Sequence, residues 1–277
     1  ALLSAFFLCI SPWHLQFSRY DHEANFMLSF SVIGITLFLY AMDNKKLLIF
    51  SALSFALCLN SYHGAKIWVP VIILTLSFIY RSQLWQAKRK LVIPIIIIAI
   101  SLVPNVLNIQ RSLIRAQSVG ILNSESPKLA VFLEGYLSHF SPNFLFIQGD
   151  FIGRHSVSEM GQLYLFEMPL LLLGLVSLIK TKNKSQEIRL LLTLLLLSPI
   201  PAALATPTPH ALRAINLIPV FAMISAYGLK IFLDLNYPKI FKRFIYFAIV
   251  IIAFYNITTY LHLYYKHEPS LKSADWR

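Results

Sequence analysis

Apolar residues in this chain come in long blocks separated by short polar turns. The blocks cover residues 24–42, 47–62, 67–80, 91–109, 162–179, 188–205, 212–233 and 244–263, with a shorter one at 1–10. Most approach the twenty or so residues that a helix needs to cross a bilayer. Gly, Pro and β-branched residues inside them are tolerated by helices in lipid. The four isoleucines at 95–98 would read as a strand in water, but their flanks extend the apolar run to spanning length and predict helix. The pattern predicts an all-α, polytopic transmembrane bundle of about nine helices. It forms a single domain over 1–277, with one long outer loop at 110–161. The first block is too short to span, so the chain is expected to open partway through a helix, with earlier helices and a first outer loop before it.

The pattern breaks most sharply at residues 11–30, SPWHLQFSRYDHEANFMLSF. Two apolar segments meet there at a charged elbow holding Arg19, Asp21, His22, Glu23 and Asn25. Charges beside a hydrocarbon layer are expensive, which makes such a cluster a candidate functional site. Arg19 and Glu23 stand four apart, a spacing that allows an ion pair on one helical turn.

Composition supports the membrane reading. Hydrophobic residues make up 57% of the chain and charged residues 13%, against about 25% charged in soluble domains. The net charge of +12 would suggest nucleic acid in a soluble protein. Here it fits basic cytoplasmic loops and an anionic lipid or phosphate partner instead, with no nucleic acid. Cys9 and Cys58 both fall in apolar runs and read as buried free thiols.

Charge sets the orientation. Fourteen of the 24 lysines and arginines fall in four short loops, around Lys45, between Arg81 and Lys90, between Lys180 and Arg189, and between Lys230 and Arg243. The positive-inside rule makes that face cytoplasmic. All eight histidines fall on the opposite side, together with Asp21, Glu23, Glu125, Glu134, Asp150 and Glu159. Topology gives no reason for this gathering. A working surface does, because His, carboxylate and Arg carry proton transfer and phosphate binding.

Within the outer loop, residues 128–140 (KLAVFLEGYLSHF) place Leu129, Phe132, Leu133, Tyr136, Leu137 and Phe140 at helical spacing. That predicts an amphipathic helix lying on the membrane, or a small cap packed on the bundle. Four outer-face groups are candidates for chemistry. Glu23 and Asp21 at the elbow can bind a divalent ion or activate an acceptor hydroxyl, or simply favour a helix N-terminus. His63 and Lys66 lie where a helix pair turns back in SYHGAK; a boundary lysine can also just snorkel. His210 and Arg213 lie in TPTPHALR, where a guanidinium beside a helix start makes an anion site. Arg154 and His155, in GDFIGRHS, can bind phosphate or sugar or make ordinary loop contacts. Trp13 and Tyr62 stand beside these groups, as sugar-stacking platforms or as interfacial anchors. A divalent cation can be accommodated, but no ligand set demands one.

The runs PWHLQFSRYDHEANFMLSFSVIG, SYHGAKIWVP, GDFIGRHSVSEMGQLYLFEMPLLLLG and PHALRAINLIP resemble, in order, stretches of GT-C-fold glycosyltransferases. The nearest likeness is to bacterial relatives of the protein mannosyltransferase and aminoarabinose transferase group. The resemblance implies a multi-span enzyme of the cytoplasmic membrane, with its active site facing outside. It would move a sugar from a polyprenyl-phosphate donor to an acceptor glycan, lipid or protein. It also implies that the main catalytic carboxylate lies in the first outer loop, ahead of Ala1, so that this stretch alone is inactive. Glu23 matches the second acidic position, while His63, Lys66, His210 and Arg213 match stretches near the lipid phosphate. Two other classes remain open. A transporter or flippase of a lipid-linked or anionic solute expects charges near the midplane and broken helix pairs, and an O-antigen ligase or polymerase shares the large outer loop.

Overall fold

The computed structural model describes residues 1–19, 22–121, 125–236 and 238–271. Among these the architecture is helical throughout, with one isolated antiparallel bridge between Gly120 and Ala205. In chain order the helices are α1 (Leu2–Ile10), α2 (Pro12–Arg19), α3 (Glu23–Tyr40), α4 (Leu47–Ser61), α5 (Ala65–Ile79), α6 (Arg81–Gln86), α7 (Val92–Leu107) and α8 (Ile109–Val119). They continue with α9 (Lys128–Ser138), α10 (Glu167–Lys180), α11 (Gln186–Leu197), α12 (Ile200–Ala203), α13 (Leu217–Asp234), α14 (Lys239–His262) and α15 (Glu268–Leu271). A 3-10 turn, Lys88–Leu91, leads into α7, and a π-helical turn, Leu263–His267, follows α14.

Every apolar block of the sequence contains a helix, and residues 95–98 lie inside α7. Among the described residues, five stretches are long and apolar enough to cross a membrane: Glu23–Tyr40, Lys88–Leu107, Gln186–Ala203, Leu217–Asp234 and Lys239–His267. The helices α4 and α5 are apolar but shorter, and α1 and α10 run to 9 and 14 residues. Five of the nine expected segments therefore reach spanning length. Exposure identifies the solvent. Only 6% of the Lys88–Leu107 span is buried, and Ile95, Ile100 and Val106 point outward. A helix apolar all round and uncovered by protein belongs in lipid, so this is a helical membrane protein.

Close packing follows from small side chains. Ser51, Ser54 and Cys58 occupy one face of α4 and donate to the backbone carbonyls of Gly34 (2.8 Å), Phe30 (2.7 Å) and Met27 (3.3 Å) on α3. As the α4 number rises the α3 number falls, so the pair is antiparallel, and small polar groups let the backbones approach. The helices α10 and α13 go further. Gly174 and Gly228 face each other so closely that a Cβ on Gly228 would lie 1.9 Å from the Leu170 carbonyl oxygen. The main core lies between these helices and α5 and α11, with Trp68, Ile72, Ile215, Leu217 and Ile224 almost fully buried.

The bundle has two distinct ends. At the basic end, Gln186 donates to the Ile79 carbonyl (2.9 Å) and Gln83 to Gln186 (2.7 Å), tying α6 to the start of α11. Ser185 caps α11 by accepting from Ile188 N. The opposite end holds α2, the α4–α5 turn, residues 110–121 and 125–161, and the 205–213 turn. An apolar cavity of about 830 Å³ runs along α13 between them, lined among others by Leu28, Trp68, Leu194, Asn216, Val220 and Lys230. From Asn216 to Lys230 α13 climbs about 21 Å, at 1.5 Å per residue.

Candidate functional site

The short helix α2 is the hub of the histidine-bearing end. Pro12 starts it, where a missing N–H does no harm. The Trp13 N–H donates to the Gln162 carbonyl (3.1 Å), and its indole donates to the Ala211 carbonyl (3.2 Å). The side-chain amide of Gln16 donates to the Arg154 carbonyl (2.9 Å), and the Tyr260 hydroxyl donates to Gln16 Oε1 (3.5 Å). Phe17 lies against the His155 ring at 5.5 Å. One turn and a half of helix thus clamps the 149–162 segment, the 205–213 turn and α14 together.

The clamp closes over a buried polar centre made by Asp150, His155 and His210. The Asp150 carboxylate accepts from the His155 ring at Nδ1 (2.9 Å), from Ala211 N (2.7 Å) and from Ile152 N (3.0 Å). The Ser156 hydroxyl donates to the Asp150 carbonyl (2.7 Å). The turn begins at Gly149, whose φ of +75° and a would-be Cβ 2.8 Å from the Met160 carbonyl oxygen require glycine. The rings of His155 and His210 stack obliquely, with centroids 4.8 Å apart. His139 completes the group: it donates to the Gly135 carbonyl (2.6 Å) and accepts from His210 N at Nε2 (3.1 Å). The proton of His139 therefore sits on Nδ1.

Electrostatics follow from burial. Burial pushes the Asp150 carboxyl up, but the hydrogen bonds from the His155 ring, Ile152 N and Ala211 N outweigh it and hold it below the usual carboxylate range. Burial, then the Arg213 charge and His155, bring His210 down to about 3. Burial also lowers His139. The centre thus sets one carboxylate among three imidazoles, of which His139 and His210 are held neutral by burial, and one ligand-capable atom of each of Asp150, His155 and His210 lies within 4.8 Å of the others.

The sequence-derived candidates fall around this centre in three groups. His155 and His210 form it. Arg213 sits one helical turn beyond His210; its backbone N–H meets His210 Nδ1 (3.4 Å) and its guanidinium donates to the Thr206 carbonyl (3.0 Å). The peptide bonds before Pro207 and Pro209 in that turn are cis. Arg154 is exposed, contributing its carbonyl to Gln16.

Glu23 and His63 stand together at a second place. His22 caps α3, its Nδ1 accepting from Ala24 N (3.1 Å). That nitrogen therefore bears no proton toward the Glu23 carboxylate 3.7 Å away, so the contact is no charge pair. The His22 ring packs edge-on to Tyr62 (5.6 Å), which also touches His63. Lys66 donates to Ser112 on α8 (2.7 Å). Asp21 lies outside the described residues. Arg19 ends α2 with its guanidinium over the rings of Tyr264 (5.0 Å) and Tyr265 (4.8 Å). The cation–π contact thus takes the place of the expected turn-spaced interaction with Glu23, because α2 stops at Arg19 and α3 begins only at Glu23.

The predicted amphipathic helix is α9, and it has two ridges. Phe132, Tyr136 and Phe140 stack in sequence, and the Tyr136 hydroxyl donates to the Leu196 carbonyl (2.8 Å). Leu129, Leu133 and Leu137 form the other ridge and face outward. The centre's key carboxylate, Asp150, and the buried His139 were visible in sequence only as members of a polar loop. The one local signal was a carboxylate five residues before a histidine in a glycine-bounded turn. No protein-family model matches the chain, and no curated protein or solved structure matches it.

Proposed function

We propose that the chain is the membrane bundle of a GT-C-like glycosyltransferase, which moves a sugar from a polyprenyl-phosphate donor to an acceptor outside the cytoplasmic membrane. In this reading α1, α4, α5 and α10 are further spans that bring the count to nine, and the histidine-bearing end faces outward. The observation that carries it is the gathering of titratable groups at one end of an apolar bundle. His210 and Arg213 lie just before α13, the helix along which the 830 Å³ apolar cavity runs. A lipid-linked phosphate needs that pairing: hydrocarbon room for the tail and a fixed cation, Arg213, at the boundary for the head.

The chemistry is simple to state. An acceptor hydroxyl forms a bond to the anomeric carbon as the bond from that carbon to the phosphate oxygen breaks. A carboxylate takes the hydroxyl proton, a role for Glu23 with Asp21. Charge grows on the departing phosphate, where the Arg213 fork, aided by Lys66 or Arg154, would stabilise it. The test is transfer of labelled sugar from polyprenyl phosphate by the complete protein. Arg213→Ala is expected to lower turnover by about a hundredfold or more, on the scale of losing one charge-stabilising donor. Full turnover in both Arg213→Ala and Glu23→Ala would overturn the assignment.

A further inference from the structure

We propose that Asp150, His155 and His210 form a binding site for one divalent transition-metal ion of the zinc class. Each residue offers one ligand atom, those atoms lie within 4.8 Å of one another, and all three residues are buried. Two imidazoles and a carboxylate form the donor set of open, three-ligand zinc sites, which leave a fourth position for water or substrate. Nitrogen donors select zinc, cobalt or nickel over calcium and magnesium, which prefer oxygen throughout.

The Asp150–His155 pair is near the spacing that an ion requires, and the 4.8 Å bound on the trio leaves His210 to turn inward by up to about 1.5 Å. Ligand atoms on a tetrahedral zinc stand about 3.3 Å apart, given bonds of about 2.0–2.1 Å. His155 Nδ1 and Asp150 Oδ2 are now 2.9 Å apart across a proton. Replacing that proton by the ion, with the ring's proton moving to Nε2 so that His155 ligates as a neutral imidazole, needs a movement of a few tenths of an ångström across this pair. The carboxylate is already oriented by Ala211 N and Ile152 N, the kind of support that fixes ligands in metal centres. At His210 the 3.4 Å contact from Arg213 N is the weakest hydrogen bond of the group, so this ring is the one free to turn its lone pair. The Arg213 guanidinium is drawn off toward the Thr206 carbonyl. Such an ion would tie the 149–156 turn directly to the 206–213 turn, joining segments about sixty residues apart.

The proposal is independent of sugar transfer, and its test reads metal rather than turnover. The complete protein, purified in detergent, is stripped with chelator, loaded with Zn²⁺ or Co²⁺, dialysed and assayed for metal by elemental analysis. One ion per chain is expected, and the cobalt form should show the visible ligand-field bands of a four- or five-coordinate site. His155→Gln and His210→Gln should each weaken retention at least tenfold. His262 and His267, whose Nε2 atoms lie 3.2 Å apart on the surface, are the control pair: His262→Gln with His267→Gln should leave stoichiometry unchanged. Should either centre variant fail to fold, the stripped and reloaded wild-type protein still decides. No retained zinc in wild type, or equal retention in the centre variants, or loss only in the His262/His267 variant, would overturn the proposal.

Discussion

The tight backbone approach of α10 and α13 at Gly228 gives the sharpest test of the fold. At Gly228 a methyl group would sit 1.9 Å from the Leu170 carbonyl oxygen, 2.8 Å from its carbon and 2.9 Å from Gly174 N. All three are backbone atoms, so no side chain can swing aside. Relief requires α10 and α13 to separate by at least about 1 Å, because cores this dense have no slack to absorb the methyl. That loosens the whole seam, including the reciprocal contact where a Cβ at Gly174 would meet the Ile224 carbonyl oxygen at 2.2 Å. Overpacking of this kind costs about 1–3 kcal/mol, and rigid neighbours put Gly228→Ala at the upper end. At about 2–4 °C per kcal/mol for a chain of this size, the melting temperature in detergent should fall by about 5–10 °C. Intrinsic tryptophan fluorescence during a thermal ramp measures it. Gly34→Ala is the internal control. Its Cβ would meet only the Phe55 ring, at 2.9 Å, which can tilt, so the shift should be less than half as large. A Gly228→Ala protein melting within about 1 °C of wild type would refute the helix-contact argument.

Other expectations concern the clamp and the antiparallel pair. Trp13→Phe keeps the aromatic packing on Phe144 but leaves the buried Ala211 carbonyl without its donor; a loss of about 1–3 kcal/mol is expected, read as a lower melting temperature, and an unchanged melt would count against the clamp. Burial holds His14 below its ordinary value, and its Nδ1 is buried with no hydrogen-bond partner. Its stabilising contribution is therefore full above about pH 6.5 and is lost as pH falls below that, since the unfolded chain binds the proton more readily. His14→Phe should flatten the drop in melting temperature between pH 7.5 and 5.5, and an unaltered slope would rule the residue out. Ser54→Ala removes one donor to the Phe30 carbonyl and should cost about 0.6 kcal/mol, the average for such bonds in membrane helices, measured by reversible unfolding in mixed micelles.

Much of the architecture was legible because lipid imposes a strict rule: a long apolar run must satisfy its own backbone, and only a helix does so. That is why residues 95–98 read correctly as helix despite their β-branched side chains. The gathering of histidines at one end was legible for a related reason, since alternating spans decide which turns are neighbours. Span length was less legible. The helix α10 starts only at Glu167, well inside its apolar block, because residues 162–166 form turns ahead of it, with Tyr164 N donating to the Glu167 carboxylate at 3.2 Å. The centre was only half visible. His155 and His210 were candidates individually, but their common partner, Asp150, is identified by a bond to Ala211, 61 positions away. Arg19 likewise depends on Tyr264 and Tyr265, which no local spacing announces.

The reach of α2 has a consequence for how the molecule is made. The α3–α4 pair is local, its partners 17 to 31 positions apart, and can zip together soon after it leaves the ribosome. Trp13 and Gln16 must wait, because Arg154, Ala211 and Tyr260 emerge 138, 198 and 244 residues later. The helix α2, translated long before these partners, is therefore among the last parts to be seated. A nascent chain halted before Ala211 would carry every residue of α2 and the Arg154 carbonyl that it grips, but neither Ala211 nor Tyr260, which complete the clamp.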